Sequence, residues 1–298
     1  MRLPKTLSLA RTLSLTLCGA VMLYTLSLSG QAPPAAGGKG KAGRKGPPGA
    51  NHPERMQVLI ITGQNPHDWR ATTPSLRKTL DDTEKFETRV VEEFRGSGPE
   101  ILEPYQVVIV NYYDGNAKNR WGERAEKALA DFVSSGKGLV LYHLSLGAFD
   151  GWTDYEKMSG GNWRPNQGHH SPQHDFALNI KDPDHPIMSG FKTPLNIKFD
   201  ELFANLRWQP AGSYHVLASA YDDHSLYGAQ DKQTKVGAGT EEPILWTTEF
   251  GKGRVFNIAL GHGPEDTENP EFKAIFMRGV EWATTGKVTI PVPPEMAK

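Results

Sequence analysis

Short, almost unbroken apolar runs separated by amphipathic stretches set the tightest limit on what this chain can fold into. The runs at 56–62 (Met-Gln-Val-Leu-Ile-Ile-Thr), 105–111 (Tyr-Gln-Val-Val-Ile-Val-Asn) and 138–143 (Gly-Leu-Val-Leu-Tyr-His) are too short for a helix and too continuously apolar for a strand with one wet face. Each reads as a strand buried on both faces, the kind a parallel sheet requires. Thr73-Pro74 offers an N-cap and a proline at the first helical position, with Leu76 and Leu80 as a stripe behind them. A further strand is expected at 87–92. At 123–134, Ala125, Leu129, Phe132 and Val133 share one helical face, and Gly136 ends it. The alternation predicts a doubly wound, parallel α/β sheet. Two more strands, 243–250 and 254–260, flank the turn Gly251-Lys252-Gly253. A last helix, 270–284, buries Phe272, Ile275, Phe276 and Val280 and stops at Gly286.

The first 54 residues stand apart. Arg2, Lys5 and Arg11 precede a largely apolar run from Leu13 to Leu28 with small residues at its end, the pattern of a secretory signal over 1–30. A single membrane anchor is the alternative. The run is short and dotted with Ser and Thr for a span, which favours cleavage, leaving a secreted or periplasmic protein with no membrane contact. Residues 31–54 form a Pro/Gly-rich basic linker, and 287–298 a Pro-containing tail. What remains, 55–286, suits one domain. The one cysteine, Cys18, lies inside the signal, so the mature chain has neither disulfides nor thiol chemistry. A net charge of −1 gives no reason to expect a nucleic-acid partner. No GxGxxG or Walker motif follows any strand, so no nucleotide cofactor is expected.

Polar groups gather where the expected strands end. His67 follows the first, Asn111, Tyr112, Tyr113 and Asp114 follow the third, His143 ends the fourth, and His262 closes the last. In open parallel sheets ligands bind outside the carboxyl ends of the strands. The middle of the chain, 150–240, is loop-rich and aromatic, and is expected to elaborate one edge of the sheet around strand-like pieces at 176–180 and 215–220. It carries Asp182-Pro183-Asp184-His185-Pro186, readable as a turn or as a source of a site histidine. It also carries Asp200-Glu201 between Phe199 and Phe203, an exposed charged pair or a half-buried acid with a raised pKa. His143, His185, Glu201 and His262 are the candidate acid–base groups. Three histidines (His143, His185, His262) with Glu201 also suit a Zn²⁺-type site with an open position. His67, Tyr112, Tyr113, Trp152, Trp163 and His170 are candidates for contact with a ligand; the aromatics read equally as a sugar platform or as core.

The segments 136–143 (Gly-Lys-Gly-Leu-Val-Leu-Tyr-His), Gly160-Gly161-Asn162-Trp163, 182–187 (Asp-Pro-Asp-His-Pro-Ile), Asp200-Glu201-Leu202, Pro243-Ile244-Leu245-Trp246, 251–255 (Gly-Lys-Gly-Arg-Val) and Leu260-Gly261-His262 together resemble the ThuA-like, trehalose-utilisation family. The resemblance covers about 56–284. It implies a flavodoxin-like α/β sandwich similar to class I glutamine amidotransferases, and a role in carbohydrate metabolism on disaccharides or their keto forms. Amidotransferases carry a nucleophilic Cys on the turn after a strand. The corresponding stretch here is His143-Leu144-Ser145, so glutaminase activity is excluded. Ser145 lacks the Gly-x-Ser-x-Gly setting of a serine nucleophile. A non-catalytic sugar-binding or surface-interaction domain is the alternative to an enzyme.

Overall fold

A computed structural model of the protein describes residues 46–228 and 239–298. The signal segment and all but the last residues of the linker lie outside the described residues. In chain order the elements are β1 (Met56–Ile61), α1 (Trp69–Asp81), β2 (Phe86–Val91), α2 (Pro99–Leu102), β3 (Val107–Val110), α3 (Glu123–Ser134) and β4 (Gly138–Tyr142). A short 3-10 turn, His143–Gly147, leads to α4 (Thr153–Ser159), β5 (Gly161–Asn162), β6 (His169–His170), β7 (His174–Ile180) and β8 (Leu195–Asp200). Then come β9 (Phe203–Ala204), β10 (Arg207–Trp208), β11 (Tyr214–Tyr221), β12 (Glu241–Phe250), β13 (Gly253–Ile258), α5 (Pro264–Thr267) and α6 (Pro270–Thr285).

Nine strands form one sheet in the order β2-β1-β3-β4-β13-β12-β11-β7-β8. The first five are parallel. The continuously apolar runs lie here, with Val58, Ile60, Val107, Val108, Ile109 and Val140 fully buried. From β13 onward the pairings are antiparallel, beginning with the hairpin whose register closes at Phe250 and Gly253. The loop-rich middle thus extends the sheet edge, as its strand-like pieces implied. Right-handed crossovers running in opposite directions from β1 and from β3 place α1 and α3 on opposite faces. The strand order reverses between β1 and β3, so the carboxyl ends of β1, β3, β4 and β13 open onto one crevice.

One sequence expectation is corrected in detail. The first helix does not begin at Thr73-Pro74. It starts at Trp69, capped by the Asp68 carboxylate, which accepts the Ala71 N–H at 3.1 Å, and it runs through Pro74. Thr73 is spent on tertiary bonding: its hydroxyl faces Thr62 Oγ1 at 3.2 Å and accepts from Asn111 Nδ2 at 3.1 Å. The final segment is packed down, with Ile290 and Met296 buried and Phe191 bridged to Ala297. Arg278 of α6 secures it. The guanidinium donates to the carbonyls of Pro186, Ile187 and Ser189, each at 2.8 Å, and to Ile290. The end of the linker is held too, since Glu87 accepts the N–H groups of Asn51 and His52.

Candidate functional site

Each of four polar side chains reaches the crevice for a local reason. Tyr142 is the last residue of β4, and the chain then turns sharply into the 3-10 segment. His143 makes the turn with φ +46, a left-handed conformation uncommon for a non-glycine residue. Strain of this kind marks positions where side-chain direction matters more than stability. Its ring is buried, and Nδ1 donates to the Ala259 carbonyl at 2.7 Å. That bond fixes the tautomer, leaving the lone pair on Nε2. His262 follows Gly261, whose φ is +94 and whose hydrogen faces the rings of Tyr142 and Phe272; a Cβ there would come within 2.7 Å of both. His67 lies in the loop after β1, its N–H held by the Asn65 side chain at 3.0 Å. Glu201 follows β8.

These groups converge. One ligand atom from each of His67, His143, Glu201 and His262 lies within 4.8 Å of all the others. The imidazole rings of His67 and His143 are 5.0 Å apart, and those of His67 and His262 are 4.3 Å apart. Glu201 Oε2 is 3.0 Å from His262 Nδ1 and 3.8 Å from His143 Nε2. The short contact to His262 is off the angle of a hydrogen bond. Among the described residues, His67 Nδ1, His143 Nε2 and His262 Nδ1 are all buried and have no hydrogen-bond partner. Buried polar atoms are nearly always satisfied, so three unpartnered nitrogens facing one carboxylate mark a place that an ion could fill. Three imidazoles and a carboxylate are a donor set suited to a divalent ion, and these four residues could hold one. Among the described residues this is the group that meets that test.

The electrostatics of two of the three rings suit a metal ligand. Burial, reinforced by His262, lowers His67 to about 4. Burial drives His143 well below the ordinary histidine value, with His67 adding to the effect. Both rings are neutral at pH 7 and keep their lone pairs free for a ligand bond. Glu201 holds His262 above the ordinary value, its proximity outweighing partial burial.

Asp200, buried beneath the cluster, sets its geometry. Its carboxylate accepts the backbone N–H groups of Gly261 at 2.7 Å, His262 at 3.1 Å and Glu201 at 2.8 Å. Burial, and then Asp266 nearby, push it up to about 7. Sequence reasoning paired Asp200 with Glu201 and gave it no task; its position directly before the acid was the available signal.

The cluster opens onto a cavity of about 450 Å³ lined by His67, Tyr113, Asn116, Leu144, Asp150, Trp163, Arg164, His170, Glu201 and Phe203 among others. His170 is delivered by the β6–β9 pairing, opposite Phe203. Its Nδ1 lies 2.8 Å from the Ser171 carbonyl and 3.1 Å from Glu201 Oε1. Facing two acceptors, Nδ1 carries a proton. Trp163 packs edge-on against Phe203 at 5.2 Å.

Of the residues the sequence singled out, the structure brings together His143, Glu201 and His262, with His67, Tyr113, Trp163 and His170 around the same cavity. His67, expected to touch a ligand, lines the cavity and also stands among the four residues that could hold a metal. His185 is not part of that group. It closes the Asp182 turn: Asp182 Oδ1 accepts its N–H at 3.1 Å, its Nδ1 accepts the Ile187 N–H at 3.2 Å, and its ring packs on Trp282. Tyr112 and Trp152 sit in the core rather than on the cavity. Tyr112 stacks on Phe149 and donates to the Asn119 carbonyl at 2.7 Å; Trp152 stacks on Tyr155. Ser145 is fully buried, its hydroxyl without a partner.

The sequence matches the ThuA family, described as trehalose utilisation, over residues 57–283. The structure is similar to a ThuA-like protein from Parabacteroides merdae, 28% identical with a TM-score of 0.69, over 82% of this chain and 95% of that one. It is also similar to a ThuA-like protein from Bacteroides uniformis (17% identity, TM-score 0.62, 85% and 98% covered) and to a cytoplasmic protein from Salmonella typhimurium (13%, 0.53, 77% and 100%). The last two likenesses speak to the fold alone. Among curated proteins, none matches.

Proposed function

Because the chain belongs to the ThuA family of trehalose utilisation, we propose that it processes a disaccharide, or the keto form of one, by metal-assisted acid–base chemistry in this cavity. The observation that carries the reading is the convergence of three unpartnered imidazole nitrogens on the Glu201 carboxylate, with His67 and Glu201 also lining a cavity large enough for a sugar. Zn²⁺ is the ion the donor set suits best, with His67, His143, His262 and Glu201 Oε2 holding it. Bound there, a divalent ion polarises a sugar carbonyl or hydroxyl oxygen and makes the neighbouring proton easier to remove.

The remaining work falls to the chain's own side chains. The Ala259 carbonyl holds His143 in one tautomer, and Asp200 holds His262 and Glu201 in register. Glu201 faces the histidine nitrogens with one oxygen and His170 with the other. His170 keeps its proton on Nδ1 and takes one from the sugar at Nε2. Trp163 and Tyr113 offer flat faces to the C–H side of a sugar ring, and Leu144 and Phe203 exclude water.

The purified protein, assayed with Zn²⁺ against a panel of keto-disaccharides, tests this reading. Turnover is expected, and it is expected to vanish on chelation and in a folded His262→Ala variant. A wild-type protein that binds sugar but turns over no substrate, with His262→Ala binding equally well, would make it a sugar-binding module. Export belongs to the same proposal and rests on the pattern at Arg2, Lys5, Arg11 and Leu13 to Leu28. Sequencing the amino terminus of extracellular protein decides it: a start near residue 30 is expected, and a retained apolar run means an anchor.

A further inference from the structure

The cavity has a second polar wall that the histidine cluster does not explain. Asp150, Arg164 and Asn116 line it. Arg164 is only 2% exposed. Its Nε sits 3.1 Å from Asp150 Oδ1 and 3.1 Å from Glu156 Oε1, and its Nη1 donates to the Trp163 carbonyl at 2.8 Å. Arg207 pairs with the same Glu156 and lies 4.0 Å from Asp150. Two guanidinium groups therefore meet two carboxylates, and the charges cancel. Arg164 is the one lysine or arginine among the described residues of the cavity lining. Its Nη2 is buried and has no acceptor among the described residues.

We propose that this wall is a subsite for a neutral sugar ring, read by the Asp150 carboxylate as acceptor and the Arg164 guanidinium as donor, and that it rejects phosphorylated and uronic sugars. The inference rests on the sugar reading of the cavity. A hydroxyl group both donates and accepts, so an acceptor beside an unsatisfied donor matches a hydroxylated ring. A phosphate or carboxylate needs a cation that is not already neutralised. Here the cation carries two carboxylates, and an anion reaching Arg164 comes up against Asp150. Trp163, next to Arg164 in the chain, lines the same cavity with its ring 5.6 Å from that of His170 and would provide the stacking face shared by a two-ring ligand.

The test is a titration followed by tryptophan fluorescence, with trehalose, maltose and cellobiose as neutral probes and trehalose 6-phosphate and cellobiouronic acid as anionic ones. Neutral disaccharides are expected to bind at least about tenfold more tightly than the anionic pair, because like charges repel across this short distance. Asp150→Asn, an exchange of equal size at a side chain 40% exposed, is expected to weaken the neutral probes about tenfold through loss of a charge-assisted hydrogen bond, and to erase most of the discrimination. Equal or tighter binding of the phosphate by the wild-type protein overturns the subsite and leaves the sugar reading intact. So does an Asp150→Asn variant with unchanged affinities. Binding of no disaccharide at all overturns both. Should the variant not fold, the selectivity of the wild-type protein still decides.

Discussion

Replacing Asp200 by Asn tests how the site is held together. Asp200 is 2% exposed and satisfies three backbone donors, Gly261 N–H on Oδ2 and the N–H groups of His262 and Glu201 on Oδ1. Asparagine keeps the shape and has one accepting oxygen. Turned either way, its amide places an NH₂ against at least one of those donors. The smaller loss keeps the oxygen on His262 and Glu201 and strands Gly261. Leaving one buried donor unsatisfied costs about 1–3 kcal/mol. Taking about 2 kcal/mol, a domain of this size loses about 4–8 °C in Tm. The ligands carried by the two clamped residues drift with the turn, so the affinity for Zn²⁺ is expected to fall about 10- to 100-fold. Thermal unfolding followed by circular dichroism and a metal titration on the same preparation give both numbers. A Tm within about 1 °C of wild type together with unchanged metal affinity would refute the reasoning.

Arg278→Met is expected to destabilise the protein by about 3–5 kcal/mol, because four carbonyl oxygens lose their buried donor at once; urea unfolding measures it, and a loss below about 1 kcal/mol would show the clamp to be redundant. Burial lowers His185 to about 4, so the unfolded chain takes up its proton first as pH falls. The stability this group contributes is complete above about pH 6.5 and is lost as pH drops towards 4, by about 1–2 kcal/mol after allowance for its partial exposure. His185→Gln is expected to flatten that part of the stability–pH curve; superimposable curves would contradict the assignment. Gly261→Ala forces a Cβ to within 2.7 Å of the Tyr142 and Phe272 rings at φ +94, and about 2–3 kcal/mol of destabilisation is expected in the same unfolding assay.

The parallel half of the sheet was legible because strands buried on both faces leave a continuous apolar signal. The antiparallel half was only partly so. β9 and β10 are two residues long and leave no periodicity to read, whereas Leu195-Asn196-Ile197-Lys198 of β8 alternates buried and exposed side chains over too few residues to stand out. His143 and His262 were legible because the chain places them at strand ends. His67 was noticed for the same reason, yet its loop gave no hint that its ring would join the group that could hold a metal. His185 misled because Asp-Pro-Asp-His-Pro is chemically suggestive, whereas its bonds are those of a turn anchored by Arg278. For Tyr112 and Trp152 the sequence left a sugar platform and the core equally open. They pack into the aromatic cluster around Phe149, where burial outweighs their polar ends.

The measurement that bears most directly on the central claim is the metal content of purified protein and of two single variants, by elemental analysis after equilibration with Zn²⁺. One ion per chain is expected in the wild type. His67→Ala is expected to lose it with its fold intact, while His185→Ala retains it, since the first ring belongs to the convergent group that could hold an ion and the second to the Asp182 turn. A wild-type protein that takes up no ion, or a His67→Ala variant that binds it as tightly as before, would contradict the account.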